Sequence, residues 1–416
     1  MLKNLQKTYH EYPSRFWVVA VARFVDGIGA TLIFPFFALY ITQKFGVGMT
    51  QAGILIGVFS FSGLIGNMLG GALTDRFGRR FMVLFGLVIS ALSSVSMGLA
   101  NDLALFYGLA VLVGLLSDIA GPAWNAMVAD ILPEKQRSEG FGLLRVVGNL
   151  AWIIGPTIGG LMAARSYLLL FILDAVSSII TAIIIYRLIP ETKPQPTAAA
   201  PGGSEPAESL LQTFRGYGKV LSDRIYMFYV VISMLMLVVY LQMYNALSVY
   251  LRDVHGVDPQ RYGFILSTSA ITVILFQFWV TRRIKDRPPM LMMALGAAFY
   301  MIGFSMYGFV SAYVLFLLAM VLITIGEMIT MPVGQALAAN FAPEDMRGRY
   351  MAIFGMSWTI PSTVGPTLAG LILDNFNPNY LWYASGVLCL LAVLGFLWLH
   401  GASKERLGEL QEAAAD

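Results

Sequence analysis

Charged residues are scarce in this chain. They make up 12% of its 416 residues, whereas hydrophobic residues make up 57%, and soluble domains carry roughly 25% charged residues. A soluble protein of this length could not cover its surface with so few polar groups. The composition therefore excludes a soluble globular protein and indicates one embedded in a membrane. Because the net charge of +3 is small, the placement of the charges is more informative than their sum.

Cysteine and histidine are also rare. The single cysteine, Cys389, lies in an apolar run, which excludes a disulfide framework and predicts a small packing residue. The histidines are scattered at the ends of apolar runs, which argues against a metal site: they are His10, His255 and His400. No G-x-x-x-x-G-K-[ST] phosphate loop occurs, and no Ser-His-Asp set falls on neighbouring predicted positions. We therefore expect no enzyme, no cofactor and no metal.

Long apolar runs are plentiful, and a run of roughly 20 residues can cross a bilayer as a helix. The polar start, Met1 to Arg15, lacks a signal-peptide cleavage site. The first run is too long for a signal sequence, so we expect it to remain as a transmembrane helix. The fold predicted is an all-α membrane protein with 12 transmembrane helices, at about 16–41, 50–73, 80–100, 103–128, 140–163, 166–188, 225–250, 260–280, 289–309, 312–338, 350–373 and 379–400.

A polar stretch divides these runs into two sets of six. Its centre, Pro194 to Glu208, is rich in Pro, Ala, Gly and Ser, which is typical of a flexible linker. We predict four regions: an N-terminal six-helix bundle at 1–189, a cytoplasmic central loop at 190–224, a C-terminal six-helix bundle at 225–402 and a cytoplasmic tail at 403–416.

The distribution of Lys and Arg predicts the orientation. An even number of spans puts both termini on one side, and the loops of that side hold 21 Lys and Arg residues. The opposite side holds only Lys44, Arg165, Arg252 and Arg261. Because cytoplasmic loops are enriched in these residues, both termini are predicted to be cytoplasmic, in a multi-pass protein of the cell inner (cytoplasmic) membrane.

Two stretches 210 residues apart match each other without a gap. Pro133-Glu134-x-x-Arg137 leads into Gly155-Pro156-Thr157-x-x-Gly160, and Pro343-Glu344-x-x-Arg347 leads into Gly365-Pro366-Thr367-x-x-Gly370. Such a repeat in a long chain of membrane helices indicates two halves built on one plan, as in one large class of transporters.

A charged turn joins helices 2 and 3 and reads Gly71-Ala-Leu-Thr-Asp75-Arg-Phe-Gly78-Arg79-Arg80. Gly78 can adopt backbone angles that other residues resist. Asp75 ends helix 2 and Asp130 ends helix 4, so both can pair with Arg79 or Arg80. Such a cluster would latch neighbouring helices at the cytoplasmic face. The alternative is that the arginines only face the cytosol, as topology requires.

This turn is similar to the signature loop of the major facilitator superfamily, G-x-L-x-D-R-x-G-R-[RK]. Every fixed position is met, by Gly71, Leu73, Asp75, Arg76, Gly78, Arg79 and Arg80. The corresponding loop of the second half, Thr281–Arg287, is basic but degenerate. The resemblance covers the whole chain. It implies the major facilitator fold, with two pseudo-symmetric six-helix bundles, and transport by alternating access.

Helix 5 contains a pattern of small residues with a proline. It reads Gly142-x8-Ala151-x3-Gly155-Pro156-x2-Gly159-Gly160. Glycines four apart let helix backbones approach closely, and proline bends a helix. These residues predict a kinked contact around which the two halves rock, with generic small-residue packing as the alternative. The pattern is similar to the superfamily's antiporter motif, with Ala151 replacing one glycine, which implies an exporter that exchanges substrate for a cation.

One departure concerns the drug exporters of that superfamily. They often carry an arginine in helix 4 within R-x-x-x-G, whereas the segment Leu112–Asp118 has none. The proton-relay role of that arginine therefore cannot be assigned here. Arg145 in helix 5 and Arg23 in helix 1 are the candidates to replace it.

Acidic residues inside the spans are functional candidates, because an ionisable group at mid-membrane is costly. Asp26 lies about 15 Å from the cytoplasmic end of helix 1, at about 1.5 Å per residue. Asp118 in helix 4 and Glu327 in helix 10 fall at almost equal depth by the 210-residue offset. The resemblance implies that helices 1, 4, 7 and 10 line the cavity. We therefore predict proton and substrate coupling at Asp26, Asp118 and Glu327, with polar cavity residues Arg23, Gln242, Tyr244 and Asn245.

Each of these acids has a structural alternative. Asp26 can form a buried ion pair with Arg23, three residues away on the same helix face. Asp118 can form a hydrogen bond between helices. Asp174 in helix 6 lies nearer the outer side and is predicted to be a structural residue.

The sequence thus predicts a secondary transporter resembling the drug:proton antiporter group. It would export small hydrophobic or cationic compounds, because a proton and a cationic substrate can compete for one carboxylate and so be exchanged. The expected partners are a small-molecule substrate, protons and membrane lipid, without nucleic acid, and the expected state is a monomer powered by the proton gradient. Three alternatives stay open: a metabolite or sugar facilitator or importer, a lysolipid flippase on the same scaffold, and a non-transporting receptor.

Overall fold

The computed structural model describes residues 11–193, 210–343 and 346–403. Within those ranges the chain forms helices joined by short turns and contains no strand. This follows from the apolar runs, because in lipid every backbone N–H and C=O must be paired internally, as a helix does. The predicted linker at 194–208, Glu344 of the repeat and the tail beyond Ser403 lie outside the described residues.

Within the described ranges, twelve long helical segments follow one another, which we label α1 to α12. Eleven are long and apolar enough to cross a membrane. The remaining one, α11, is 29 residues long and begins with Arg347 and Arg349. The segments are Ser14–Phe45, Met49–Phe77, Arg79–Leu99, Leu103–Ile131, Glu134–Ala163, Tyr167–Leu188, Arg224–Leu241, Pro259–Ile284, Pro289–Phe309, Tyr313–Asn340, Arg347–Asn375 and Asn379–Ala402.

Two predicted spans contain short 3-10 turns. In α1 the turn is Phe34–Phe36, and in α4 it is Asp118–Ala120, directly before Gly121 and Pro122. Pro35 lies in the first turn and Pro122 follows the second, and a proline removes one backbone donor and bends a helix. The bend in α4 places Asp118 at a break in its helix and not inside a regular helical turn.

The prediction of one continuous helix 7 at 225–250 is wrong. The segment α7 ends at Leu241, and a second helix begins at Ala246 and runs to His255. The side-chain amide of Gln242 donates to the Val238 carbonyl at 2.8 Å, and that of Asn245 donates to the Leu241 carbonyl at 2.9 Å. The Gln242 amide pairs a carbonyl that has lost its backbone donor at the break. The Leu241 carbonyl also accepts the backbone N–H of Tyr244 at 3.1 Å, so the break leaves neither carbonyl unpaired.

The predicted central loop also contains more structure than expected. Its last part forms a helix at Leu210–Ser222. This helix has 13 residues, which is too short to cross a bilayer core.

The chain divides into two compact units. Unit 1 holds residues 1–197 and Leu251–Ser267, and unit 2 holds Ala198–Tyr250 and residues 268–416. The segment Leu251–Ser267, which includes the start of α8, therefore belongs with the N-terminal helices.

Inside unit 1, α1 packs against α5 and α6, α3 against α4 and α6, and α2 against α4. Its main buried cluster draws on α1, α3, α4, α5 and α6 and includes Phe16, Val19, Met82, Trp124 and Met127.

Inside unit 2, α9 packs against α10 and α12, and α7 against α11 and α12. Buried tyrosines are prominent there. Tyr226 donates to the carbonyl of Tyr350 at 2.6 Å, and Tyr229 donates to the carbonyl of Gly334 at 2.7 Å. These phenols combine apolar burial with a satisfied hydroxyl, which joins α7 to α11 and α10.

Candidate functional site

Glu327 lies half-buried in unit 2, on α10. The hydroxyl of Tyr240, on α7, donates to Glu327 Oε1 at 3.0 Å. The hydroxyl of Tyr244 lies 3.3 Å from that of Tyr240. Two of the predicted site residues, Glu327 and Tyr244, are therefore linked through Tyr240, which the sequence analysis did not select.

Two further aromatic rings surround Tyr240. Its ring centroid lies 5.8 Å from that of Tyr300 on α9 and 6.1 Å from that of Trp358 on α11, edge to face. Tyr300 is held in turn by Thr330, whose hydroxyl donates to it at 3.2 Å. A carboxylate among aromatic rings can hold a proton or, through charge and cation–π attraction, an organic cation. We call Glu327, Tyr240, Tyr244, Tyr300 and Trp358 the Glu327 cage.

The side chains of the other predicted polar residues of helix 7 form hydrogen bonds to carbonyls of their own helix and not to the Glu327 cage. Gln242 and Asn245 are both buried and donate to Val238 and Leu241 as described above. The Oε1 atom of Gln242 is a buried acceptor without a partner in the described part of the chain. Both side-chain bonds lie at the break after α7.

In unit 1, Arg23 and Asp26 point to different partners. Arg23 Nη2 donates to Asn125 Oδ1 at 3.0 Å, and its guanidinium carbon lies 5.4 Å from the Trp124 ring centroid. Asp26 Oδ1 accepts a hydrogen bond from Ser178 at 3.2 Å. Among the ion pairs of the described residues, none joins Arg23 to Asp26. The buried ion pair considered for Asp26 is therefore not what the structure contains.

Asp118 begins the 3-10 turn of α4. A Cβ atom at Gly63, on α2, would lie 2.5 Å from Asp118 Oδ2. The carboxylate thus lies against the α2 backbone, and within the described residues it has no side-chain hydrogen-bond donor. The interhelical hydrogen bond considered for it is absent there.

The charged turn between α2 and α3 centres on Arg79. Its Nη1 lies 3.4 Å from Asp75 Oδ1, and its Nε lies 3.0 Å from Asp130 Oδ2. Arg80 donates to the Tyr186 carbonyl and lies 5.0 Å from the Tyr186 ring centroid. These contacts join α2, α3, α4 and α6 at one end of unit 1.

The backbone carbonyl of Arg76 accepts a hydrogen bond from Lys193 Nζ at 3.2 Å. Arg76 lies 5.4 Å from the ring centroid of its neighbour Phe77, and Gly71 faces open space. Gly78 has φ of +96°, a left-handed conformation that favours glycine.

Glu191 is a member of this network that the sequence analysis missed. Its carboxylate accepts the backbone N–H of Arg79 at 2.9 Å and that of Arg80 at 3.2 Å. These N–H groups begin α3, where a carboxylate is stabilised by the free donors and the helix dipole. The only sequence signal for it is an acid just after helix 6, and that signal does not name its partner.

The helix 5 motif packs α5 against two neighbours inside unit 1. Gly155 and Gly159 lie against Thr31 and Leu32 of α1. A Cβ atom at Gly160 would lie 2.9 Å from the Cα of Gly263 on α8. One turn away, the hydroxyls of Thr157 and Ser267 are 2.8 Å apart. Of the other motif residues, Pro156 lies inside the helix, Ala151 is buried, and Gly142 faces open space.

These features define a polytopic helical membrane protein with carboxyl groups held among its spans, which is the organisation of a membrane transporter. The family model described as Major Facilitator Superfamily matches residues 19–361 and 292–415. The chain therefore belongs to the Major Facilitator Superfamily. The resemblance drawn from the loop between helices 2 and 3 is confirmed, and so is the predicted fold class.

Similar proteins include bacterial antiporters and efflux proteins. A "Na(+), Li(+), K(+)/H(+) antiporter" of Planococcus maritimus is 26% identical, over 91% of this chain and 94% of its own length. The quinolone resistance protein NorA of Staphylococcus aureus is 24% identical, over 88% and 91%. The solved structure of a peptide transporter POT with sulfate aligns with a TM-score of 0.75 at 16% identity, covering 96% of both chains. The similarity to this solved structure shows the fold alone.

Proposed function

We propose that this protein exports small hydrophobic or cationic compounds in exchange for protons, as a monomer in the cytoplasmic membrane with both termini cytoplasmic. The observation that carries the proposal is the Glu327 cage. It combines one acid on α10 with three aromatic rings on α7, α9 and α11 and a fourth ring, that of Tyr244, in the turn after α7. The relatives named for antiport and quinolone resistance support the same class of activity.

In the proposed cycle the proton and the substrate compete for Glu327. An ionised Glu327 attracts a cationic compound from the cytoplasm, and the rings of Tyr240, Tyr244 and Trp358 contact its apolar part. A proton arriving from outside neutralises the carboxyl group and weakens that attraction. By linkage, each ligand lowers the affinity for the other, so a proton gradient drives export. Asp118 is assigned a second coupling role on α4.

The helix 5 motif supports export over import. A facilitator of metabolites, which moves its substrate without protons, would not need an acid in an aromatic cage, and the antiporter pattern in α5 is typical of exchangers rather than importers. Counterflow in vesicles separates the two cases: an exporter of this kind responds to an imposed pH gradient, whereas a facilitator equilibrates its substrate without one. A lysolipid flippase would move labelled lysolipid between leaflets and show no such dependence on small cations.

Alkali cations are a second candidate cargo. The relative from Planococcus maritimus is named as an antiporter of Na+, Li+ and K+. Unit 1 contains buried carboxylate and hydroxyl oxygens, the ligand type that hard cations prefer. Vesicles loaded with Na+ or Li+ test this candidate through proton movement that depends on the cation.

The decisive experiment uses purified protein in proteoliposomes with an imposed pH gradient and ethidium as a cationic probe. Glu327→Gln keeps the size of the side chain but cannot ionise, so gradient-driven ethidium transport is expected to be lost. Glu11→Gln, at an exposed acid outside the spans, is the matched control and is expected to transport normally. Full gradient-driven transport by the Glu327→Gln protein would refute the proposal.

A further inference from the structure

A second group of ionisable and hydroxyl side chains lies inside unit 1, where α6 packs against α1 and α3. It is separate from the charged turn between α2 and α3. Asp174 and Ser178 on α6 are 6% and 0% exposed, and Ser94 on α3 is 8% exposed. Asp26 on α1 and Ser90 on α3 complete the group. All five residues lie within segments that are apolar enough to span the membrane.

Asp26 ends a short chain of hydroxyl groups. The hydroxyl oxygen of Ser178 lies 3.2 Å from Asp26 Oδ1 and 3.2 Å from the hydroxyl of Ser90. A serine hydroxyl has one hydrogen to donate. When Ser178 donates to the Asp26 carboxylate, it therefore accepts from Ser90, and the chain runs from α3 through α6 to α1.

Asp174 has a similar arrangement one helical turn away. Ser94 donates to Asp174 Oδ2. Asp174 precedes Ser178 by four residues on α6, and Ser94 follows Ser90 by four residues on α3. Residues four apart lie on the same helix face, about 5–6 Å apart between Cβ atoms. The two carboxyl–hydroxyl sets are therefore stacked along the same pair of helices.

A close helix contact places Asp174 against α1. A Cβ atom at Gly29 would lie 2.7 Å from Asp174 Oδ1 and would overlap the hydroxyl oxygen of Ser177. Gly29 follows Asp26 by three residues, which is one turn along the same face. Asp174 thus meets α1 one turn beyond Asp26, and the missing side chain at Gly29 is what lets α6 come so near.

The nearby charges on the surrounding helices are arginines, and within the described residues none of them forms an ion pair with Asp26 or Asp174. On α1 the neighbouring charge is Arg23, whose guanidinium donates to Asn125. On α5, which also packs against α6, the charge within the span is Arg145. Two ionised carboxylates in such surroundings repel each other, so a proton on one changes the proton affinity of the other.

We propose that Asp174 is a further proton-binding carboxyl group of this transporter and that it titrates together with Asp26. A proton that leaves Asp174 is taken up by ionised Asp26, one helical turn away along α1, which leaves Asp174 ionised and Asp26 neutral. The total charge of the two carboxyl groups stays the same during this step. The place of the pair in the exchange cycle rests on the proposed function, whereas the coupling of the two groups can be measured without any transport.

The test is an infrared pH titration of the purified full-length protein, read at the C=O stretch of protonated carboxyl groups. Asp174→Asn is expected to remove one protonated-carboxyl signal. Asp26→Asn is expected to move the midpoint of the Asp174 signal by about one pH unit or more, as coupled groups do. Ser94→Ala keeps both acids and is expected to shift the frequency of the Asp174 signal through loss of its hydrogen bond. Glu327→Gln is expected to remove a different signal and leave the Asp174 midpoint unchanged.

An Asp174 midpoint that is the same in the parent and in the Asp26→Asn protein would overturn the proposal. An unchanged spectrum in a folded Asp174→Asn protein would also overturn it. Should Asp174→Asn fail to fold, Asp174→Glu and Ser94→Ala decide the question through the same midpoint comparison in the Asp26→Asn background. Loss of ethidium transport in Glu327→Gln bears on the proposed function and not on this pair, so the two proposals can fail separately.

Discussion

Tyr240 donates its phenolic hydrogen to Glu327 across 3.0 Å, from α7 to α10. The two residues are 87 positions apart in the chain, and Tyr240 is almost fully buried. Tyr240 is the second-last residue of α7, and the break at Gln242–Asn245 begins two residues after it. Any movement of this break therefore acts on the acid that we place at the centre of exchange.

Tyr240→Phe is expected to lower kcat/KM for ethidium export by about tenfold or more. The loss is expected because a hydrogen bond to a charged group contributes roughly 1.5–3 kcal/mol. The Tyr240→Phe variant removes this bond and keeps the aromatic ring. Initial rates in proteoliposomes with an imposed pH gradient measure the effect. Tyr244→Phe is the control, since its hydroxyl contacts Tyr240 at the longer distance of 3.3 Å. An equal or greater loss in Tyr244→Phe would contradict the assignment.

Asp130→Asn is expected to destabilise the protein more than Asp75→Asn. Both acids contact Arg79, but the side chain of Asp130 is 17% exposed and that of Asp75 is 78% exposed. An exposed ion pair contributes about 0–1 kcal/mol to stability, whereas removing one partner of a buried ion pair costs about 3–5 kcal/mol. Thermal unfolding of the purified variants in one detergent compares them directly. Equal melting temperatures for the two variants would show that Asp130 does not anchor the cluster.

Gly160→Ala is expected to reduce both transport and thermal stability. A methyl group there would lie 2.9 Å from the Gly263 Cα, so α5 and the start of α8 must separate, and overpacking typically costs about 1–3 kcal/mol. Gly142→Ala, in the same motif, is the matched control because its Cβ would face open space. Melting temperature and ethidium transport are measured on both. A larger loss of melting temperature and transport in Gly142→Ala than in Gly160→Ala would contradict the importance of the close contact at Gly160.

Several features followed from the residue pattern alone. Apolar runs long enough to span a bilayer predict membrane helices, because lipid offers no partner for the backbone and a helix satisfies it locally. The loop from Gly71 to Arg80 identified the superfamily, since its fixed positions are contiguous in the chain. Local patterns of this kind need no knowledge of distant contacts.

The helix breaks and the partners of the buried polar side chains could not be predicted from local sequence patterns. The break after Leu241 depends on which side-chain amide replaces a lost backbone bond, and hydropathy does not record that choice. Arg23 and Asp26 share a helix face, yet each finds its partner on another helix, at Asn125 and Ser178. Spacing along one helix shows which groups can meet but not which contact has the lower free energy.

The sequence by itself determined that this chain lies in a membrane, that it repeats one helical plan, and that it places acids on particular spans. Only the tertiary structure decided which groups surround those acids: aromatic rings at Glu327, hydroxyls at Asp26 and Asp174, and a glycine backbone at Asp118. The reason is physical. Burial and helix formation depend on local composition, whereas the chemistry of an acid depends on neighbours that folding brings from distant parts of the chain.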